Sequence, residues 1–233
     1  MTEPVHITRT KWEQSELYMD TVVHITIIAK HPATEIQADM DKAFTAFRMV
    51  EDVFNRFDKQ SELSQLSAQV EKAVPVSDFL FDLLRYALEV SHYTNGIFDP
   101  TLGVTLEQFG FNRHYLTGET IESLASVSQT STYTDVILDE SKRTVLLKKP
   151  LILGLGAEAK GFAIDLAAKE LRHYDGFMID AGGDIYVGGL NETETPWMIG
   201  IRHPLKKSEI ICTLSLSDMA VCTSGNYERI SPL

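Results

Sequence analysis

Residues 151–189 read LILGLGAEAKGFAIDLAAKELRHYDGFMIDAGGDIYVGG, and this stretch decides the fold. Its pattern predicts a strand, a glycine-broken turn, one amphipathic helix and a second strand ending in another glycine turn. Within the helix Phe162, Leu166, Lys169 and His173 form one row, while Ile164, Ala167, Ala168 and Leu171 supply apolar contacts on its flank. Such a helix lies on a sheet. At its mouth Gly154, Gly156 and Gly161 leave backbone N–H groups uncovered beside a positive helix terminus, with Lys160 among them. That combination suits a phosphate.

Working outward, residues 133–148 read as a hairpin with its turn near Glu140 and Ser141. Residues 117–126 hold a short helix in this reading. Toward the N-terminus, residues 32–57 give the clearest helix, with Thr34 as N-cap and Gln37 at the capping-box position. Ile36, Met40, Phe44, Phe47, Val50, Phe54 and Phe57 recur there at three- and four-residue steps, an aromatic stripe that belongs to a core. Ser61-Glu62-Leu63-Ser64 marks the start of a short helix. A longer one runs from a Ser77 cap to about Tyr93 and is closed by Asn95-Gly96.

Strands are expected at residues 7–12 and 22–29. In the second, Val23, Ile25, Ile27 and Ala29 alternate with His24 and Thr26, the period of a half-buried antiparallel strand with His24 toward solvent. The fold class is therefore α+β, mostly antiparallel sheets with packed helices, and the helical first half and strand-rich second half allow two subdomains.

Composition bounds the function. The chain has 233 residues, 44% hydrophobic and 23% charged, with a formal net charge of −12. The acidic balance argues against a nucleic-acid partner, which requires a surplus of Lys and Arg. No segment reaches the roughly 20 apolar residues of a membrane span. The opening residues carry acids where a signal peptide has a basic patch, so a cytoplasmic location is expected. Cys212 and Cys222 lie among apolar residues and are expected to be buried free thiols.

Three clusters carry chemistry. Gly96-Ile97-Phe98-Asp99-Pro100-Thr101 is either a turn in which Asp99 bonds backbone N–H groups beyond Pro100 or part of a ligand site. Asp180-Ala181-Gly182-Gly183-Asp184 is a sheet end facing ligand or a two-glycine hairpin capped by Asp184. Thr223-Ser224-Gly225 follows a strand, with no Gly-x-Ser-x-Gly elbow around it. In addition, Gly154-Leu155-Gly156-Ala157-Glu158-Ala159 fits G-x-G-x-x-A, with Asp175 or Asp180 at the distance of a ribose-binding acid, which admits a nicotinamide-dependent oxidoreductase.

Six pieces occur in one order: Met19-Asp20-Thr21; Ser61-Glu62-Leu63-Ser64; Gly96-x-Phe98-Asp99-Pro100-Thr101; Gly156-Ala157-x-Ala159-Lys160-Gly161; Asp180-x-Gly182-Gly183-Asp184; and Thr223-Ser224-Gly225-Asn226-Tyr227-Glu228-Arg229. In this order they resemble the ApbE family, FAD:protein FMN transferases, over nearly the whole chain from Met19 onward.

The resemblance implies a single ApbE-like domain over residues 1–233 that transfers the FMN half of FAD to a Ser or Thr hydroxyl of a target protein, with Mg²⁺ as cofactor and AMP released. By similarity, Met19, Phe57, Ile97, Phe98, Asp99, Gly154 and Lys160 contact the flavin nucleotide. The Ala157 carbonyl falls at a metal ligand. This chain departs from the family pattern at Gly154, where Asp is usual, at Glu158, where Ile is usual, and at Phe57, where Tyr is usual. The family's later His-Ile-Ile-Asp-Pro-like and Ala-Asp…Thr segments have no counterpart, so no catalytic residue is assigned and a C-terminal segment is expected to be missing. A catalytically incomplete FAD-binding protein is the alternative that follows.

Overall fold

Strand β1 (Thr10–Tyr18) and strand β2 (Thr21–Ala29) form an antiparallel hairpin in which Tyr18 pairs with Thr21. The two residues between them, Met19 and Asp20, have φ of 52° and 58°, the left-handed pair of a tight two-residue turn. The first strand thus starts and ends later than residues 7–12, because pairing with β2 sets its length. The structure is a computed structural model that describes residues 9–112, 118, 120, 131–206 and 208–225.

The chain forms two compact units, one of residues 1–48 and 163–230, the other of residues 49–162 and 231–233. In the first unit, β2 continues into an antiparallel sheet of order β1-β2-β6-β7-β10, with β6 at Gly176–Ala181, β7 at Asp184–Gly189 and β10 at Met219–Val221. β8 (Trp197–Arg202) and β9 (Ile210–Leu216) make a separate antiparallel pair. Ile28, Val187, Trp197 and Ile199 form one buried cluster there. The expected alternation of β2 breaks down toward its end, where Thr26 and Ile28 are as fully buried as Ile25 and Ile27. Both faces of that segment are covered.

Helix α1 (Ala33–Phe54) buries Ile36, Met40, Phe44, Phe47, Val50 and Phe54, the expected stripe. Thr34 is not its cap: the Pro32 carbonyl accepts from the Glu35 and Ile36 N–H groups, so Thr34 lies inside the first turn. The helix also stops before Phe57, whose N–H is taken by the Asn55 side chain at 3.0 Å. An Asx turn outcompetes the next helical turn.

In the second unit, α2 (Glu62–Ser67) starts as expected with Ser61 Oγ accepting from Ser64 N–H at 3.1 Å. α3 (Asp78–Tyr93) is capped by Ser77 and closed by Asn95 (φ 53°) and Gly96 (φ 79°). β3 (Ala73–Pro75), β4 (Val136–Asp139) and β5 (Thr144–Leu147) form a sheet of order β3-β5-β4, the last two being the expected hairpin. Arg143 lies 4.2 Å over the Phe81 ring and pairs with Asp78 and Asp82, tying the hairpin to α3. A short helix α4 (Gly103–Gln108) had no counterpart in the sequence reading. The helix expected at residues 117–126 lies outside the described residues, apart from Gly118 and Thr120.

Residues 151–155 are not a strand. Ile152 makes one isolated parallel bridge to Leu102, and helix α5 (Gly156–Leu171) follows directly. The division between the units falls within α1 and within α5. The buried row of α5 is Ala159, Ala163, Ile164, Ala167, Ala168 and Leu171, so the small residues face inward and Lys169 and His173 outward. Because β6 runs antiparallel to both β2 and β7, no βαβ unit surrounds the G-x-G-x-x-A stretch and the nicotinamide reading loses its structural context. Cys212 and Cys222 are exposed, not buried. β9 pairs only with β8 among the described residues, and its Ile210 and Ile211 are exposed while Leu216 packs against the Ile28–Trp197 cluster.

Candidate functional site

The start of α5 is held by the loop before α4. Pro100 O accepts from Gly154 N–H at 2.8 Å, and Ile152 O accepts from Gly103 N–H at 3.2 Å. Gly154 N–H is therefore occupied, not left open as the sequence suggested. Gly161 sits one turn into the helix, where the helical ladder takes its N–H. At Gly103 a Cβ would meet Ile152 O at 2.6 Å, which explains a glycine there. By contrast, a Cβ on Gly154 would meet only Leu106 Cδ1, at 3.9 Å.

Asp99 organises that loop. One carboxylate oxygen takes Thr101 N–H (2.8 Å) and Thr101 Oγ1 (2.7 Å), and the other takes Tyr133 N–H (3.0 Å). The turn reading of Asp99 holds through Thr101, and the second oxygen ties the loop to Tyr133. Its neighbour Ile97 is 88% exposed, so the loop presents an apolar side chain outward.

Phe57 carries a guanidinium over its ring, Arg56 Cζ lying 4.3 Å from the centroid. Arg56 donates to Phe111 O and pairs with Glu107 of α4 at 3.5 Å. Burial lowers the affinity of this guanidinium for its proton, and Glu107 works against that; an arginine remains cationic here. Arg56 thus links the Phe57 ring to Glu107 of α4. The sequence reading missed Arg56 and α4, for which the only signals were an Arg before Phe57 and the three-residue step from Leu106 to Phe109.

Glu158 stands in the first turn of α5 with one carboxylate oxygen buried and without a hydrogen-bond partner. Desolvation raises its proton affinity. Ala157 lies beside it, exposed, and Lys160 follows one residue on from Ala159. A buried carboxylate oxygen and a helix-start carbonyl are oxygen ligands that suit a hard divalent cation, and a lysine supplies positive charge for phosphate oxygens held beside it. Among the described residues no group of three or more His, Cys, Asp or Glu side chains converges on a metal position. A cation here would therefore keep phosphate and water ligands.

The sequence motifs sort by unit. Ser61–Ser64, the Asp99 loop and the α5 start belong to the second unit; Met19–Thr21, residues 180–184 and Thr223 belong to the first. In the first unit the three motifs converge: a Cβ on Gly182 would meet Thr21 Oγ1 at 2.1 Å, and one on Gly183 would meet Thr223 Oγ1 at 3.4 Å. Gly182 and Gly183 have φ of 67° and 96°, as a two-glycine hairpin requires. Asp180 caps this turn, accepting from Gly183 N–H at 2.8 Å.

A model of the ApbE family matches residues 19–231. A FAD:protein FMN transferase of Treponema pallidum is 30% identical over 239 residues, covering 94% of this chain and 66% of its own length. Another, of Haemophilus influenzae, is 30% identical over 182 residues, covering 73% of this chain and 53% of its own length. The chain therefore spans less than two thirds of these relatives. Among solved structures, the ApbE protein of Thermotoga maritima has a TM-score of 0.82 at 26% identity, covering 94% of this chain and 72% of that one. The flavin transferase ApbE of Vibrio cholerae has a TM-score of 0.80 at 22% identity over 95% and 74%, a likeness of fold.

Proposed function

This chain belongs to the ApbE family, and on that premise we propose that it is an FAD:protein FMN transferase, moving the FMN half of FAD to a Ser or Thr hydroxyl of a target protein and releasing AMP. The observation that carries the reading is the start of α5, where a helix N-terminus, Lys160 and the buried oxygen of Glu158 stand within one turn. The helix terminus and Lys160 bind the diphosphate of FAD. Phe57, backed by Arg56, offers an aromatic face to the flavin, and Ile97 and Phe98 add apolar contact from a loop that Asp99 holds in shape. Gly154 leaves room beside Leu106 for the nucleotide. Met19 is included as a flavin contact on the resemblance alone.

Mg²⁺ belongs to the proposal as the cofactor, held by the Ala157 carbonyl with Glu158 beside it, and its charge offsets the negative charge of the phosphoryl group in flight. No catalytic residue is assigned. A cytoplasmic location is also proposed, supported by the exposed thiol of Cys212, which a reducing compartment keeps unoxidised. Among the described residues no helix is long and apolar enough to cross a membrane.

The test is FAD binding by flavin fluorescence with and without Mg²⁺, followed by mass spectrometry of a Thr-containing acceptor peptide. A saturable, Mg²⁺-dependent signal and an FMN adduct are expected. Lys160→Gln should weaken FAD and ADP about tenfold each, the loss of one charge-assisted contact, while riboflavin binding stays unchanged. FAD binding without an adduct would leave a flavin-binding protein that does not transfer.

A further inference from the structure

On β1 and β2, Ser15 pairs directly with His24, and Ser15 Oγ lies 2.7 Å from His24 Nδ1. His24 Nε2 lies 3.5 Å from Glu13 Oε1 on the same face of the hairpin. Lys11 holds that carboxylate at 2.7 Å and, with His24, keeps it below the usual carboxylate range. The order is hydroxyl, imidazole, carboxylate: a nucleophile bonded to a base that a third group orients. The tautomer with the proton on Nε2 satisfies both contacts and leaves Nδ1 to accept from Ser15.

This trio does not make a hydrolase by itself. Among the described residues β1 is an edge strand, Ser15 is exposed, and the neighbouring cross-strand pair Leu17 and Val22 is 59% and 54% exposed. A hydroxyl that carries its own base, lies open on a sheet edge and has an exposed apolar pair beside it is arranged to be presented to another site. We propose that Ser15 is itself an acceptor of the FMN group, with His24 as its general base and Glu13 as the positioning residue for His24. This rests on the transferase reading above. Ser15 Oγ forms a bond to the phosphorus that carries the riboflavin half of FAD, the bond from that phosphorus to the bridging oxygen breaks, AMP leaves with the electron pair, and the serine proton passes to His24 Nδ1.

The protein is incubated with FAD and Mg²⁺, alone and with the Treponema pallidum transferase added, and the tryptic peptide of residues 12–30 is weighed. An FMN adduct on Ser15 is expected, absent in Ser15→Ala and formed at least tenfold more slowly in His24→Gln, in keeping with the usual worth of a general base. Near-UV circular dichroism checks that both variants are folded, and added imidazole should recover part of the His24→Ala rate. A Thr-containing acceptor peptide runs in the same tubes. Modification of that peptide without Ser15 overturns the inference and leaves the transferase reading standing. Modification of Ser15 only when the second enzyme is present supports the inference and removes the activity from this chain. Equal rates in wild type and His24→Gln overturn the role of His24.

Discussion

Asp99 accepts the backbone N–H of Tyr133 at 3.0 Å, and this bond joins the loop after α3 to the start of the 3₁₀ turn Tyr133–Asp135, 34 residues away. The other oxygen of Asp99 is filled by Thr101, which is 5% exposed. The carboxylate is thus the crosslink that sets the path of residues 96–103. Asp99→Ala should cost about 2–4 kcal/mol, since three charge-assisted contacts are lost and two backbone donors are left in a partly buried place. Asp99→Asn should cost less, because its carbonyl still accepts from Thr101 while its amide cannot accept from Tyr133. Urea unfolding of the two variants measures the difference.

The two glycines next to that loop should respond in opposite ways. Gly103→Ala drives a methyl against Ile152 O, 2.6 Å from the ideal Cβ, and should destabilise by about 2–3 kcal/mol. Gly154→Asp enters open space and should change stability by no more than about 0.5 kcal/mol. If the α5 start holds the nucleotide, the added carboxylate should tighten FAD binding in the presence of Mg²⁺ by about tenfold, the worth of one charged hydrogen bond. Thermal unfolding and a fluorescence titration check the two halves of this statement separately.

The residues that were legible from sequence are those whose signal is local. Ser61, Ser77 and Gly96 mark their helix ends because cap chemistry acts within four residues. The stripe from Ile36 to Phe54 and the hairpin of β4 and β5 follow from periodicity alone. The strand expected at residues 151–155 failed for a non-local reason: its partners are Pro100 and Leu102, so the segment gained two loop bonds and no ladder. The expected burial of Cys212 failed similarly, since no local pattern says whether β9 is covered. α4 and Arg56 were invisible because their ties, Arg56 to Glu107 and to Phe111 O, span about fifty residues. The family resemblance supplied what local chemistry did not, the grouping of six separate motifs.

Asp39 should make the fold acid-sensitive. Lys42 at 2.7 Å, Tyr174 Oη at 2.9 Å and His173 at 3.2 Å surround its carboxylate, which is 11% exposed. Lys42 above all, with Tyr174 and His173, holds its proton affinity below the usual value, and burial, followed by Asp39, pushes the Tyr174 phenol upward. A lowered acid contributes stability above its unfolded value of about 3.9 and loses it as pH falls through the lower folded value. Asp39→Asn should therefore cost about 1–3 kcal/mol at pH 7, and the gap to wild type should narrow below about pH 4. Unfolding curves between pH 3 and pH 7 test it.

Glu158 should behave in the opposite sense, and that opposition separates a ligand role from a structural one. Burial raises its proton affinity against a backbone hydrogen bond that lowers it, so the folded state holds this proton more tightly than the unfolded chain does. Its contribution to stability is therefore unfavourable at neutral pH and is relieved as pH falls through the raised value toward the ordinary glutamate range. Glu158→Gln removes the charge and keeps the shape, so the variant without ligand should melt at or above the wild-type temperature at pH 7 and should lack the wild-type gain on acidification. With ADP and Mg²⁺ present the order should reverse, because a cation beside the carboxylate turns an uncompensated charge into a paired one. A Glu158→Gln protein that gains as much as wild type from Mg²⁺ and ADP would show that this carboxylate faces no cation, and the Mg²⁺ position beside Ala157 would then have to be filled without it.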